Sequence, residues 1–131
     1  MWGVGGEVRD ARAFLDMPAT FKELAAYARA AALADELHEI VVTWPNFELW
    51  STGIQLVRAV DSVGANIAEA TGRWHTPDRR RFLFIARGSL METEHWLLRA
   101  EGRGLLAKGW SDRVTDVRRP LNGLINRARP N

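Results

Sequence analysis

The chain has no cysteine, two lysines, one tyrosine and three histidines among its 131 residues. Without cysteine there is no disulfide framework, no thiolate nucleophile and no zinc site built on sulfur. This composition fits a reducing compartment, and a cytoplasmic protein is expected. No uninterrupted apolar run approaches the roughly 18 residues needed to span a bilayer, so no membrane partner is expected. The N-terminal MWGVGGEVRDARAF lacks a basic segment followed by an apolar stretch and does not read as a secretory signal. β-hairpin signals, long-period repeats and low-complexity segments are also missing.

What is present is unevenly distributed. Residues 1–72 hold 5 Lys/Arg against 10 Asp/Glu, a balance of −5, and residues 73–131 hold 13 against 6, a balance of +7. Sixteen of the 18 cations are Arg. Such asymmetry suits an acidic or nucleic-acid partner. It equally suits a chain that simply encodes its cations as Arg.

The apolar pattern predicts an all-α chain. Residues 1–19, with Gly3, Gly5, Gly6 and Pro18, read as a flexible N-terminal arm with a short helical piece around Asp10–Met17. Residues 20–131 read as one domain. A first helix is expected at about Thr20–Thr43, from Leu33, Leu37, Ile40, Val41 and Trp44, ending at Pro45-Asn46. A second is expected at about Trp50–Thr71, where Leu56, Val60, Val63 and Ile67 step by helical intervals, with Gly72 as its stop. In the third, Thr76 is expected to cap, Pro77 to take the first helical position and Asp78 the first turn, with the helix running to about Glu101. A fourth is expected to start near a capping Ser111, with Pro120 kinking or dividing it. Four amphipathic helices with short connections predict an antiparallel, up-and-down four-helix bundle.

The third helix carries two apolar faces. Phe82, Ala86, Ser89, Thr93, Trp96, Leu97 and Ala100 are expected to face the core. Phe84, Gly88, Met91, His95 and Leu98 step along roughly the opposite side. Arg80, Arg87 and Glu94 border this second stripe on one edge, and Arg81, Glu92 and Arg99 on the other. A helix that is apolar on two sides is buried on two sides, so the stripe reads as an oligomer interface. The alternatives are cover from the N-terminal arm, or scattered exposed apolar residues.

Catalytic and metal-binding patterns are sparse. His38-Glu39 begins an HExxH pattern, but position 42 is Val, so no zinc pair forms there. His95 and Glu92 alone make a poor ligand set. Gly3-Val4-Gly5-Gly6 lacks the Lys-Ser/Thr of a phosphate-binding loop. Ser62, Ser89 and Ser111 have no arranged base, and Glu69 reads as an i,i+4 partner of Arg73. Neither an enzyme nor a cofactor or metal is expected.

The densest chemistry lies between the second and third helices. Arg73, Trp74, His75, Arg79, Arg80 and Arg81 fall together where the amides opening the third helix point outward. That arrangement suits an anion, with Trp74 and His75 able to stack on an unpaired base. The arginines of the fourth helix, Arg113, Arg118, Arg119, Arg127 and Arg129, are expected to extend the basic surface. The competing reading makes Arg79 a snorkelling residue and pairs Arg80 and Arg81 with Glu94 or Glu92 of a neighbouring subunit. In that reading Trp74 is a plug under the elbow.

Two segments carry a resemblance. Ser62-Val63-x-x-Asn66-Ile67-Ala68-Glu69-Ala70-x-Gly72-Arg73 resembles the SIPSNIAEGxGR motif of a bacterial four-helix-bundle family. That family is named for proteins encoded in intervening sequences of 23S ribosomal RNA genes. Phe82-x-x-x-x-Ala86-x-Gly88-Ser89-x-x-Glu92 resembles its FLxIAxGSxxE segment, and Phe21-x-x-Leu24 and Leu121-Asn122-Gly123-Leu124-Ile125 resemble its ends. Gly64-Ala65 stands where the family often has Pro-Ser, and Ala70 where it has Gly. The resemblance implies a bundle assembling into a homo-oligomeric ring, a pentamer. It also implies kinship with accessory proteins of diversity-generating retroelements, basic pentamers that bind a reverse transcriptase and nucleic acid. The expected function is therefore non-enzymatic binding of RNA or a ribonucleoprotein partner, with a protein-interaction scaffold as the alternative.

Overall fold

The structure, a computed structural model, describes Phe21 and residues 24–128. The arm at 1–19, with its expected helical piece, lies outside the described residues. Four helices dominate: α1 (Ala25–Val41), α2 (Ile54–Thr71), α3 (Thr76–Gly102) and α4 (Val114–Arg127). Among the described residues there is no strand. α1 packs on α2 and α4, and α3 packs on the same two helices. The four thus surround one core, a helical bundle as expected. No helix among the described residues is long and apolar enough to cross a membrane.

The core follows the heptad-like spacing of each helix. Leu33 and Leu37 come from α1, and Leu56, Val60, Val63 and Ile67 from α2. Val114, Val117, Leu121 and Ile125 come from α4. On α3 the buried residues are Leu83, Ala86, Leu90, Thr93, Leu97 and Ala100. The expected face therefore turns by one residue: Phe82, Ser89 and Trp96 are half-buried, and Leu83 and Leu90 take the centre. Phe82 and Trp96 still pack against the core from its rim.

Several helix ends differ from expectation. α1 starts at Ala25, with Leu24 as its extended cap, so the first turn expected from Thr20 is not α-helical where it is described. Pro45 closes the turn after α1, and a single α-turn (Asn46–Glu48) and a five-residue π-turn (Leu49–Gly53) then lead into α2. The helical path thus begins before Trp50. Gly53 makes this corner tight, since a Cβ on it would lie 2.7 Å from Val41 Cγ1 and 3.3 Å from Trp44 Cε3.

Ser111 does not cap α4. It lies in a 3-10 turn (Trp110–Arg113), and its N–H donates to the Glu101 carboxylate at 2.7 Å. The connection from α3 turns on Gly104 and Gly109, at φ 73° and 108°, values that favour glycine. Pro120 sits inside α4 without dividing it.

Candidate nucleic-acid interface

The elbow joins α2 to α3. α2 ends at Gly72, whose φ of −78° is ordinary right-handed helix, so its glycine freedom is not what stops the chain. Residues 73–75 then cross to α3. His75, not Thr76, occupies the cap position and makes no side-chain cap bond. Thr76 is instead the first helical residue, and its hydroxyl accepts a hydrogen bond from Arg79 Nη2 at 2.9 Å.

Arg79 explains one misplaced cation in the first turn of α3. Its Nη1 donates to the carbonyls of Arg73 (3.4 Å) and Trp74. These acceptors lie where α2 has ended and its ladder offers no donor, so the guanidinium ties the elbow together. Arg80 reaches another helix: its Nη1 donates to the Ile125 carbonyl in the last turn of α4 at 3.0 Å, alongside the Ala128 N–H at 3.2 Å. Its guanidinium also lies 5.0 Å from the centre of the Phe84 ring. Asp78 supplies the carboxylate that the helix N-terminus favours, 3.7 Å from Arg81 Nη2.

Arg73 and Arg81 form the outward part of the site. Both guanidinium groups lie over the Phe82 ring, at 4.8 and 4.5 Å from its centre. Arg73 Nη2 also contacts Glu69 Oε2 at 2.9 Å, the expected i,i+4 pair. Its Nε is buried without a hydrogen-bond partner among the described residues. Trp74 and His75, the next two residues of the chain, are exposed. Two guanidinium groups held on one aromatic plane, next to an exposed indole and imidazole, can meet phosphate and base together.

The structure brings Arg73, Trp74, His75, Arg79, Arg80 and Arg81 to one end of the bundle. Arg118 and Arg119 lie elsewhere. Arg118 Nη2 pairs with Glu94 Oε1 at 2.8 Å, and Glu94 is fourteen residues beyond Arg80 on α3, roughly 20 Å along the helix. Glu94 is thus taken within the chain. Arg119 is exposed on the neighbouring position of α4. The cation that α4 does bring to the elbow end is Arg127, two residues past the carbonyl that Arg80 holds.

The second face of α3 is on the outside of the bundle. Phe84, Gly88, Met91, His95 and Leu98 are all exposed, Met91 at 58% and Leu98 at 53%. Ile85, missed in the sequence, joins them. A Cβ on Gly88 would meet nothing within 4 Å.

Other polar groups are engaged within the fold. An open groove of about 340 Å³ between α1 and α4 is lined by Arg29, Arg113 and Asp116 with Ala32, Leu33 and Val117. Arg113 there donates to Glu36 Oε2 at 2.6 Å and holds that carboxyl below the usual carboxylate range. No group of three or more His, Asp or Glu that could hold a metal occurs among the described residues.

The two resembling segments meet each other across α2 and α3. Ser62 Oγ and Ser89 Oγ share a hydrogen bond of 2.8 Å. Asn66 Nδ2 donates to the Ser62 carbonyl at 2.8 Å and to its hydroxyl at 3.0 Å. Ala86 is buried beneath them, and Arg73 reaches Phe82 at the elbow. The motif is therefore a helix-to-helix fastening that ends in the guanidinium–aromatic stack.

This fold and fastening define a small all-helical bundle protein with a basic elbow. The chain belongs to the 23S rRNA-intervening sequence protein family, whose profile matches residues 22–126. No curated protein matches the chain.

Proposed function

We propose that this chain is a non-enzymatic, cytoplasmic, up-and-down bundle that assembles into a ring and binds RNA at its α2–α3 elbow. Residues 20–131 form the bundle domain and 1–19 its arm. The up-and-down order is supported by paired contacts: Arg29 with Asp116 of α4, and Glu36 with Arg113 in the turn just before α4, run in opposite senses along the two segments. The outer face of α3 supplies the subunit seam, and a pentamer is the expected ring. Repetition around a ring adds weak phosphate contacts into useful avidity. The RNA arrives alone or within a ribonucleoprotein, a reverse transcriptase being the expected protein component.

The observation that carries this reading is the stack of Arg73 and Arg81 on Phe82 beside exposed Trp74. A second reading, a protein scaffold without nucleic acid, is favoured by the internal use of Arg79, Arg80 and Arg118. Salt separates the two, because phosphate contacts weaken steeply with added salt. The informative variant is Arg73→Gln with Arg81→Gln, since Arg79 and Arg80 also hold the fold. It is expected to weaken retention of single-stranded RNA about tenfold or more and to flatten the salt slope, with native mass unchanged. Retention that ignores both substitutions and salt would favour the scaffold.

A further inference from the structure

The two outward guanidinium groups of the elbow each have a carboxylate of their own. Arg73 Nη2 is 2.9 Å from Glu69 Oε2, and Arg81 Nη2 is 3.7 Å from Asp78 Oδ1. The four side chains are 42% to 58% exposed. Ion pairs this exposed add little to folding, so exchanging their carboxylates for another anion costs the fold little. The elbow is thus balanced in charge, and an anion enters it by exchange.

Exchange favours one kind of phosphate. A phosphodiester inside a strand carries one negative charge, as a carboxylate does, and gains little by replacing one. A terminal phosphomonoester carries about −1.5 to −2 near pH 7 and offers three strong acceptor oxygens. It can replace both carboxylates at once. Both guanidinium groups are held near one point for it, 4.8 and 4.5 Å from the centre of the Phe82 ring.

Arg73 has a donor that its carboxylate leaves unused. Glu69 takes Nη2, while Nε is buried without an acceptor among the described residues. Nε and Nη2 form the side edge of the guanidinium, a fork that matches two oxygens of one anion. A buried donor without an acceptor is costly, so an anion that spans this edge makes a bond the free chain lacks.

The rest of the basic cluster does not extend the pair into a track. Proteins that follow a single strand line its backbone with a positively charged groove. Arg79 donates to the Arg73 and Trp74 carbonyls and to Thr76 Oγ1, and Arg80 to the Ile125 carbonyl. Arg118 pairs with Glu94, well along the bundle. Arg127 of α4 adds one exposed charge at the elbow end. We propose that the elbow selects an RNA end bearing a terminal phosphomonoester over internal phosphodiesters. Arg73 and Arg81 share that phosphate, and Glu69 and Asp78 are the carboxylates it displaces. The proposal rests on the RNA reading of the elbow and names the part of the RNA that is held.

The test uses three single-stranded RNAs of one sequence, titrated against the full chain by fluorescence anisotropy. One carries a 5′-monophosphate, one a 3′-monophosphate and one hydroxyls at both ends. One or both phosphorylated strands are expected to bind about tenfold more tightly than the hydroxyl strand, and the two arms tell which end is held. Glu69→Gln with Asp78→Asn removes the charges that oppose an internal phosphate. It should strengthen the hydroxyl strand about threefold or more and narrow the difference. Arg73→Gln with Arg81→Gln should abolish the difference. None of the four side chains belongs to the core, so both variants should keep the native helical signal in circular dichroism. Equal binding of the three strands overturns the inference and leaves the RNA reading standing. A difference that survives Arg73→Gln with Arg81→Gln overturns it by placing the phosphate elsewhere. So does a hydroxyl strand that gains nothing from Glu69→Gln with Asp78→Asn, because the carboxylates then oppose nothing. A phosphoserine peptide that binds as tightly as the phosphorylated strands overturns it in favour of a phosphoprotein. If no strand binds, the RNA reading falls and the inference falls with it.

Discussion

Pro120 has no N–H, so the Asp116 carbonyl four residues back loses its partner within α4. Arg29 of α1 donates to that carbonyl from Nη1 at 3.2 Å. The donor missing from one helix is thus supplied by a side chain of another. This is why α4 passes through a proline that the local pattern marks as a break. Replacing Arg29 with Ala is expected to cost about 1 kcal/mol in urea unfolding. With Pro120→Ala in place, the restored N–H serves Asp116 and the same substitution should cost close to nothing. A double-mutant cycle with no coupling between the two sites would show that Arg29 acts elsewhere. Arg79 and Arg80 likewise tie helix ends at the elbow, Arg79 on the Arg73 and Trp74 carbonyls and Arg80 as a second donor to the Ile125 carbonyl, which also accepts the Ala128 N–H. The sequence shows these arginines as one basic cluster. It does not tell which turn inward, because that depends on carbonyls contributed by distant segments.

Helix identities were legible because their apolar residues recur at helical spacing, as Leu56, Val60, Val63 and Ile67 show on α2. The phase of α3 was less so. Its two apolar stripes leave neighbouring rotations nearly equivalent in pattern. Only packing against α2 and α4 selects Leu83 and Leu90 over Phe82 and Ser89. The corner before α2 was missed for another reason: a proline and an asparagine read as a stop, and nothing local marks a π-turn. Its signal was the aromatic density of WPNFELW, unusual for a turn. Gly53 provides a test by sign. At an open helical position Gly→Ala stabilises by up to about 1 kcal/mol. Gly53→Ala is expected to destabilise by about 1–3 kcal/mol, because its Cβ would press on Val41 and on the Glu48 carbonyl. Gly123→Ala, inside α4 with only ordinary contact to Arg127 Nη1 at 3.7 Å, should raise Tm slightly. Thermal unfolding of the two variants in parallel reads the contrast, and a Gly53→Ala protein as stable as Gly123→Ala would contradict the close packing.

At the scale of the whole molecule, one bundle buries only half of what α3 offers. Phe84, Ile85, Met91 and Leu98 remain exposed along that helix, and Gly88 leaves a gap in their midst. Contiguous apolar surface of this kind marks an interaction site. Arg81, Arg87, Glu92 and Arg99 lie exposed along its borders, as charges do beside a helix–helix seam. A glycine at the centre of such a seam lets a second backbone approach closely. Phe84→Glu with Met91→Glu is therefore expected to reduce native mass in sedimentation to that of a single chain. The helical signal should persist, since neither side chain is part of the core. Gly88→Leu separates assembly from folding: it meets open space within the bundle but would obstruct a close-packed neighbour. It should leave the helical content intact and weaken assembly. If both variants keep the native mass of the unmodified chain, the outer face of α3 is not the seam, and the ring proposed from it falls. If assembly is lost, RNA retention should fall with it, because avidity multiplies what a single elbow binds weakly.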